Sequence, residues 1–225
     1  MRYPLRSMNP QMITRFHLGA VRDEIEALEG GDWNQHPYRT KMPRSPHREA
    51  DDIILRFQDI ELAIKDRRSY RQGGCEDRRP PSPVVDDLEA VPYPMWWQLT
   101  ETRALVYRMA RQFSAGRIGR AVITRLRPGA RVYPHVDDGA NADYYDRFQV
   151  CVAANKDCIF TVHGLGYGFH QGEIWWFDNR FEHSVVNNGS TDRITLVLDL
   201  RVESEGDGWR NAKASDRRAA GAAAA

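Results

Sequence analysis

The chain has 225 residues, a formal net charge of +1 at pH 7 and a hydrophobic content of 41%. This length can bury a sizeable core, and the balanced charge gives no electrostatic reason to expect a nucleic-acid or anionic-membrane partner. No stretch approaches the ~18 apolar residues of a membrane span, and the N-terminus lacks the apolar centre of a signal peptide. The three cysteines lack CxxC spacing, so we expect a protein of the reducing cytoplasm without a disulfide framework.

The N-terminal part, residues 1–116, is predicted to be a helical and loop elaboration packed on the rest of the chain. Apolar residues at helical spacing predict a helix over 14–29. A short apolar run then predicts a strand over 53–57.

Two further elements precede the second half of the chain. Residues 66–83 combine a Gly-Gly pair with prolines and many charges, which predicts a long mobile loop. Thr100 is the expected N-cap of a helix that runs to about residue 114, with one apolar stripe facing the core.

From residue 117 onward the sequence changes to short strand-like runs separated by turns, which is typical of a closed or sandwiched β fold. Eight strands are predicted, at 119–126, 131–136, 146–153, 157–163, 167–171, 173–178, 182–187 and 192–201. We therefore predict a mainly β fold with flanking helices. Residues 117–203 form its single catalytic core, and a low-complexity tail at 204–225 is expected to be disordered.

The pair His135 and Asp137 is the strongest candidate for a chemical site. Side chains two residues apart on a strand point to the same face, so both can reach one metal ion. His183 lies in another strand-like run, and a closed antiparallel sheet can bring it to the same place. Two imidazoles and one carboxylate form a facial triad with open positions, which suits an Fe(II) that binds oxygen and a co-substrate.

Arg193 adds a cation ten residues after His183, at the start of the last predicted strand. A guanidinium at that position can bind a carboxylate bidentately. The His-x-Asp pair alone is weak evidence, since chance supplies it at about one histidine in twenty. Turn signals ahead of His135 and Arg193, at 126–129 and 186–190, strengthen it because they place the candidates at strand ends.

These motifs resemble one known family over roughly residues 119–201. The resemblance is to the aspartyl/asparaginyl β-hydroxylase family of Fe(II)/2-oxoglutarate-dependent dioxygenases. The matching segments are 126–137, 147–150, 172–179, His183-x-Val and Arg193-Ile-x-Leu.

The resemblance implies a double-stranded β-helix, a jelly roll of the cupin kind, with iron at its open mouth. It also implies hydroxylation of an amino-acid side chain with O2 and 2-oxoglutarate, releasing succinate and CO2. The substrate would be Asp, Asn or another residue of a peptide or protein, or a free amino acid. The implied site residues are the iron ligands His135, Asp137 and His183, Arg193 on the distal carboxylate of 2-oxoglutarate, Arg147 on its other carboxylate, and Thr124 beside the distal one.

Two positions depart from the animal aspartyl hydroxylases. Those enzymes carry glycine where this chain has Asp137, and histidine where it has Gln149. The chain therefore resembles the branch that keeps the carboxylate ligand, and the aspartyl substrate cannot be transferred to it directly.

Two other classes of protein remain open on sequence grounds. One is a cupin-like module that binds a metal and a small acid without turnover. The other is a zinc hydrolase, which uses a similar set of ligands. Arg193 and Arg147 favour the oxygenase over the hydrolase, because a hydrolytic water needs no dicarboxylate clamp.

The substrate pocket is the least readable part of the sequence. Trp33, His36 and Arg39 are candidates for reaching its mouth. Residues 138–146 follow the metal motif and form either a lid or a plain solvated loop. The carboxylates and tyrosines of a lid there would suit a cationic or polar substrate. The sequence makes no prediction of the oligomeric state.

Overall fold

The computed structural model describes residues 9–42, 44–62 and 88–202. The predicted loop at 66–83 and tail at 204–225 therefore lie outside the described residues. The helices discussed below are α1 (Gly19–Glu26), α2 (Pro94–Gln98), α3 (Thr100–Gln112) and α4 (Gly139–Tyr144). None of the helices in these ranges is long and apolar enough to cross a membrane.

The strands form two antiparallel sheets. They are β1 (Gln11–Arg15), β2 (Asp51–Phe57), β3 (Val91–Pro92), β4 (Ala115–Leu126), β5 (Arg131–His135), β6 (Asp146–Ala153), β7 (Cys158–Val162), β8 (Leu165–Gly168), β9 (Glu173–Phe177), β10 (His183–Asn187) and β11 (Arg193–Val202). The larger sheet has the order β1-β9-β6-β11-β4-β2-β3, and the smaller has the order β5-β10-β7-β8.

The strand order is that of a double-stranded β-helix. From β4 to β11 the chain passes back and forth between the sheets, so that each sheet receives four of these eight strands. The predicted fold class is therefore confirmed. The eight predicted strands of this segment all form, with bounds within a few residues of those expected.

Residue alternation gives the larger sheet two different faces. On β11, Leu196 and Leu198 face a cluster shared with α1 and α3. Leu126 and Phe177, from β4 and β9, face a second cluster between the two sheets. This inner face also carries the polar residues of β11, beginning with Arg193, because side chains on a strand alternate between faces.

The N-terminal part extends the larger sheet at both edges. β2 pairs with β4, and β1 pairs with β9. The predicted strand at 53–57 is thus the greater part of β2. The division of the chain at residue 116 stays a prediction.

The predicted helix at 14–29 is wrong in its first part. Its core is α1, which begins only at Gly19. Residues 11–15 form β1 instead, because the edge of the larger sheet offers them a hydrogen-bonding partner and an ion pair between Arg15 and Glu173. Tertiary pairing here overrides the local helical pattern.

The predicted N-cap at Thr100 is also wrong. Leu99 is the N-cap and makes no side-chain capping bond, whereas Thr100 is the first helical residue. The preceding helix, α2, was not predicted, although Pro94 at its first position is a recognised start signal.

Candidate metal centre

The structure brings His135, Asp137 and His183 together at one end of the barrel. His135 is the last residue of β5 and lies directly opposite His183, the first residue of β10. Their ring centroids are 4.2 Å apart, and His135 Nε2 lies 3.9 Å from Asp137 Oδ1. One potential ligand atom from each residue lies within 4.8 Å of the others. The three side chains can therefore reach a common metal ion.

Both imidazoles are oriented by the backbone of their own strands. Nδ1 of His135 lies 2.8 Å from the carbonyl oxygen of Tyr133, and Nδ1 of His183 lies 2.9 Å from that of Phe181. Since a carbonyl can only accept, each Nδ1 carries the proton and donates it. Nε2 of each ring is then the unprotonated nitrogen that a metal requires.

Asp137 is fixed through one of its two oxygens. Oδ2 accepts hydrogen bonds from Arg147 and from the Asn179 side-chain amide, the latter at 3.0 Å. The backbone N–H of Asp137 donates to the Asn179 carbonyl oxygen at 2.9 Å. Oδ1 faces the histidines and remains available as a ligand.

Arg147 is itself held by a second carboxylate. Asp199 on β11 accepts from Nε at 2.7 Å and from a terminal nitrogen at 2.8 Å, which is a bidentate pairing. Asn179 and Asp199 thus orient the centre, and neither was assigned a role from sequence. Asn179 ends a motif that was noted, but no spacing rule connects Asp199 to Arg147.

The charges of the centre suit a divalent cation. Burial acts to raise the pKa of Asp137, but the Arg147 guanidinium beside it, with His183 and Asn179, holds that pKa well below its usual range. Burial and the nearby His135 lower the pKa of His183 to about 4, and burial also lowers the pKa of His135. At neutral pH two neutral imidazoles and one carboxylate are present, a donor set that fits Fe(II).

Arg193 lies deeper in the barrel and is only 4% exposed. One of its terminal nitrogens donates to Gln149 Oε1 at 2.8 Å. Within the described ranges, no carboxylate lies within 4.0 Å of this guanidinium. Because a buried cation without a counter-charge is costly, the position fits a ligand carboxylate.

A second buried group points to the same place. Thr195 follows Arg193 on the inner face of β11, and its hydroxyl is buried with no hydrogen-bond partner among the described residues. Thr124 lies opposite Thr195 on β4 and donates to Asp52 Oδ1 at 2.8 Å. The Thr195 hydroxyl is therefore the free donor here, while the role of Thr124 stays a prediction.

A cavity of about 790 Å³ opens beside the metal centre. Asp137 and Arg147 line it from the barrel, and residues of the segments 37–42 and 44–47 line it from the N-terminal side. His47 of that segment contacts the metal centre, with its ring centroid 4.9 Å from that of His135. Sequence reasoning missed His47, because nothing in its turn-rich surroundings links it to position 135.

The three N-terminal candidates for the mouth separate in the structure. Arg39 lines the cavity. Trp33 instead packs in the cluster shared with α1 and α3, and the Arg125 guanidinium lies over its ring, 4.0 Å from the centroid. The ring of His36 contacts that of Tyr93. Residues 138–146 contain the short helix α4, directly after Asp137. Whether they act as a lid stays a prediction.

The strand order and the centre define a double-stranded β-helix protein with a candidate two-histidine, one-carboxylate metal site. A family model described as aspartyl/asparaginyl beta-hydroxylase matches residues 94–202. This segment therefore matches the aspartyl/asparaginyl β-hydroxylase family, and the resemblance inferred from the motifs is confirmed. No curated protein sequence matches the chain.

Several solved structures are similar to the chain at low identity. An oxidoreductase of the 2OG-Fe(II) oxygenase family from Burkholderia pseudomallei is 12% identical, covering 69% of this chain and 67% of that chain, with a TM-score of 0.43. A predicted oxalate decarboxylase from Thermotoga maritima is 17% identical over 41% of this chain and 73% of that chain, with a TM-score of 0.32. A cupin domain from Bordetella pertussis is 14% identical over 38% and 83%, with a TM-score of 0.31.

Proposed function

We propose that the protein is an Fe(II)/2-oxoglutarate-dependent hydroxylase of an amino-acid side chain, either free or within a peptide or protein. The observation that carries the proposal is the pairing of two features inside one barrel. Three ligand-type side chains meet at its mouth, and Arg193 is buried deeper without a carboxylate partner in the described part of the chain. A dicarboxylate with one end at the metal would satisfy both features.

Each residue has a defined task in this proposal. His135, Asp137 and His183 would hold the metal, which when bound couples the reduction of O2 to the conversion of 2-oxoglutarate into succinate and CO2. Arg193 would bind the distal carboxylate of 2-oxoglutarate, with the Thr195 hydroxyl as a further donor. Arg147, fixed by Asp199, would hold the ligand Asp137 and lie close to the other end of 2-oxoglutarate.

The arrangement favours an oxygenase over a zinc hydrolase. Hydrolysis needs a metal-bound water and a base, and this chemistry does not itself require a buried arginine without a carboxylate partner. A binding module without turnover would use the same side chains. Only a measurement of product separates that alternative from the enzyme.

The test begins with the full chain, Fe(II) and 2-oxoglutarate under anaerobic conditions. We expect a visible charge-transfer absorption band, and admission of O2 should then yield succinate. In Arg193→Gln the apparent affinity for 2-oxoglutarate should fall by at least about tenfold, since a charge-assisted pairing is lost.

A matched control is Arg127→Gln, which removes an exposed arginine that pairs with Asp51 on the surface. This variant should bind 2-oxoglutarate as the parent does. A protein that is loaded with Fe(II) but gives neither the band nor succinate would exclude the proposed function.

A further inference from the structure

We propose that the cavity beside the metal centre takes a substrate that joins a carboxylate to an apolar body, and that Arg120 binds this carboxylate. The inference rests on the proposed function, because it names the class of substrate for the same site. It goes beyond that function in choosing an acid over the cationic substrate that the acidic segment 138–146 suggested.

Arg120 is a cation at the cavity wall that has no carboxylate in direct contact among the described residues. It is half-buried on β4 and lines the cavity, and its Nε atom is fully buried without a hydrogen-bond partner. Among the residues of 9–42, 44–62 and 88–202, no carboxylate lies within 4.0 Å of it. Burial lowers the pKa of Arg120 although the charge of Asp199 acts to raise it, which reflects the cost of burying this guanidinium without a directly bound carboxylate.

The other cations of the cavity are either paired or solvated. Arg147 is bound to Asp137 and Asp199, and Arg39 lies 3.4 Å from an Asp52 oxygen. Lys41 and Arg44 also line the cavity and are exposed at its rim. Arg120 is thus the lining cation whose charge a bound ligand would most stabilise.

Among the described residues, Asp137 is the single acidic residue that lines the cavity. It already forms an ion pair with Arg147. An ammonium group entering the cavity would meet several guanidinium groups and no free carboxylate. Electrostatic complementarity therefore disfavours a cationic substrate and favours an anionic one.

The remaining walls are largely apolar. The apolar and aromatic side chains that line the cavity include Tyr38, Met42, Phe57, Ile60, Val122 and Val197. The Arg120 guanidinium lies over the ring of Phe57, 4.8 Å from its centroid, which fixes the cation beside an apolar surface. A singly charged carboxylate is cheaper to desolvate in such a place than a doubly charged phosphate, so we assign the anion as a carboxylate.

The size and position of the cavity agree with a substrate site. Its volume of about 790 Å³ lies in the usual range for small-molecule pockets. Arg120 and the metal-ligand candidate Asp137 line the same space. A molecule held at Arg120 would therefore present its apolar body next to the metal centre.

The test compares four probes with one hexyl chain and different heads: hexanoate, hexanamide, hexylamine and hexyl phosphate. Binding to the full-length, metal-free protein is measured by calorimetry. Hexanoate should bind at least about tenfold more tightly than the other three, as expected for one charge-assisted interaction. In Arg120→Gln this preference should disappear, whereas Arg120→Lys should keep part of it.

Arg127→Gln provides the matched control, since it removes an exposed arginine that pairs with Asp51 and does not line the cavity, and it should leave the hexanoate preference unchanged. If Arg120→Gln fails to fold, Val197→Asp supplies a second variant. It places a carboxylate in the cavity without removing Arg120 and should abolish hexanoate binding.

Equal binding of hexanamide, tighter binding of hexylamine or hexyl phosphate, or an unchanged preference in Arg120→Gln would each overturn the inference. Succinate formation is scored separately and needs none of these probes. An active enzyme without the hexanoate preference contradicts only the substrate class. A preference that depends on Arg120 in a protein that forms no succinate contradicts only the proposed function.

Discussion

Asp137 divides its two carboxylate oxygens between the protein and the candidate metal. Oδ2 is held by Arg147 and Asn179, while Oδ1 faces His135. Replacement of Asp137 by Ala removes a ligand and leaves Arg147 with Asp199 alone. Loss of supporting groups typically costs about 10–100-fold in metal affinity, so loss of the ligand itself should cost at least about 100-fold.

Anaerobic titration with Fe(II) measures this loss, and succinate formation should vanish with it. Asp138→Ala is the matched control, because Asp138 is the exposed neighbour on the chain and should change neither quantity. Full activity in Asp137→Ala would remove the residue from the ligand set.

The depressed pKa of His183 predicts how the metal-free protein responds to acid. The pKa of His183 is about 4 in the folded protein, against an ordinary 6.5. Between these two pH values, His183 is therefore protonated in the unfolded chain but not in the folded protein. Stability should therefore fall as the pH drops from 7 towards 4, by up to about 3 kcal/mol from this group. Asp137 affects stability at a lower pH than His183. The stability that its lowered pKa provides is lost only as the pH falls below its ordinary pKa of 3.8.

Urea unfolding of the metal-free protein at pH 7 and pH 5 measures this dependence. His183→Gln should reduce this dependence, of which the lowered pKa values of His47 and His135 keep a part. His170→Gln, at an exposed position, should leave it unchanged. The same pH dependence in His183→Gln and the parent would contradict the assignment.

At the residue scale, the sequence could predict the candidate ligands but not the groups that hold them. His135 and Asp137 were expected from strand alternation, although β5 ends at His135 and Asp137 lies two residues beyond it. His183 was expected from its place in a second strand. Asp199, Asn179 and His47 reach the centre through contacts that depend on the closed barrel, with no fixed spacing in the chain. Their roles become visible only when the strands are paired.

At the scale of elements, Glu24 joins two helices that are distant in sequence. Its Oε1 and Oε2 each accept a backbone N–H from the first turn of α3, from Glu101 and Thr102, both at 2.9 Å. The Thr102 hydroxyl adds a third bond at 2.8 Å. A carboxylate from α1 therefore caps α3 and satisfies N–H groups that Leu99 leaves unpaired.

Glu24→Ala should lower the free energy of unfolding by about 1–2 kcal/mol, the usual range for a lost N-cap. Urea denaturation provides the measurement. Glu26→Ala is the matched control, since it removes an exposed carboxylate of the same helix and should cost less than about 0.5 kcal/mol. Equal effects of the two substitutions would show that the capping bonds contribute nothing.

The strands of the barrel were predictable because they are short apolar runs that end at turns. Burial alternates along β7 and β10, whereas β6 and β11 are buried almost throughout. β4 to β11 form where such runs were found. β1 was missed for the opposite reason. Its residues 11–15 are mostly half-exposed and acquire a strand partner only when β9, more than 150 residues later, is in place.

At the scale of the whole molecule, the larger sheet separates two cores with different consequences for the site. Met109 of α3 is fully buried in the outer core, against the helix-facing side of the sheet. Phe160 of β7 is buried in the inner core, with its ring centroid 6.1 Å from that of His183. Phe177 packs between Phe160 and His183. Its ring centroid lies 4.9 Å from that of Phe160 and 5.0 Å from that of His183. The inner core therefore reaches the metal centre through the rings that contact His183.

Substitutions in the two cores should therefore separate stability from metal binding. Met109→Ala and Phe160→Ala should each lower the free energy of unfolding by about 2–5 kcal/mol, because both leave cavities in packed cores. Metal affinity per folded molecule, measured by titration at a temperature where both variants are folded, should stay at the parent value in Met109→Ala. It should fall by about tenfold in Phe160→Ala, where His183 loses packing that fixes its ring. An equal loss in both variants would mean that the sheet transmits the change, and an unchanged affinity in both would mean that β10 alone positions His183.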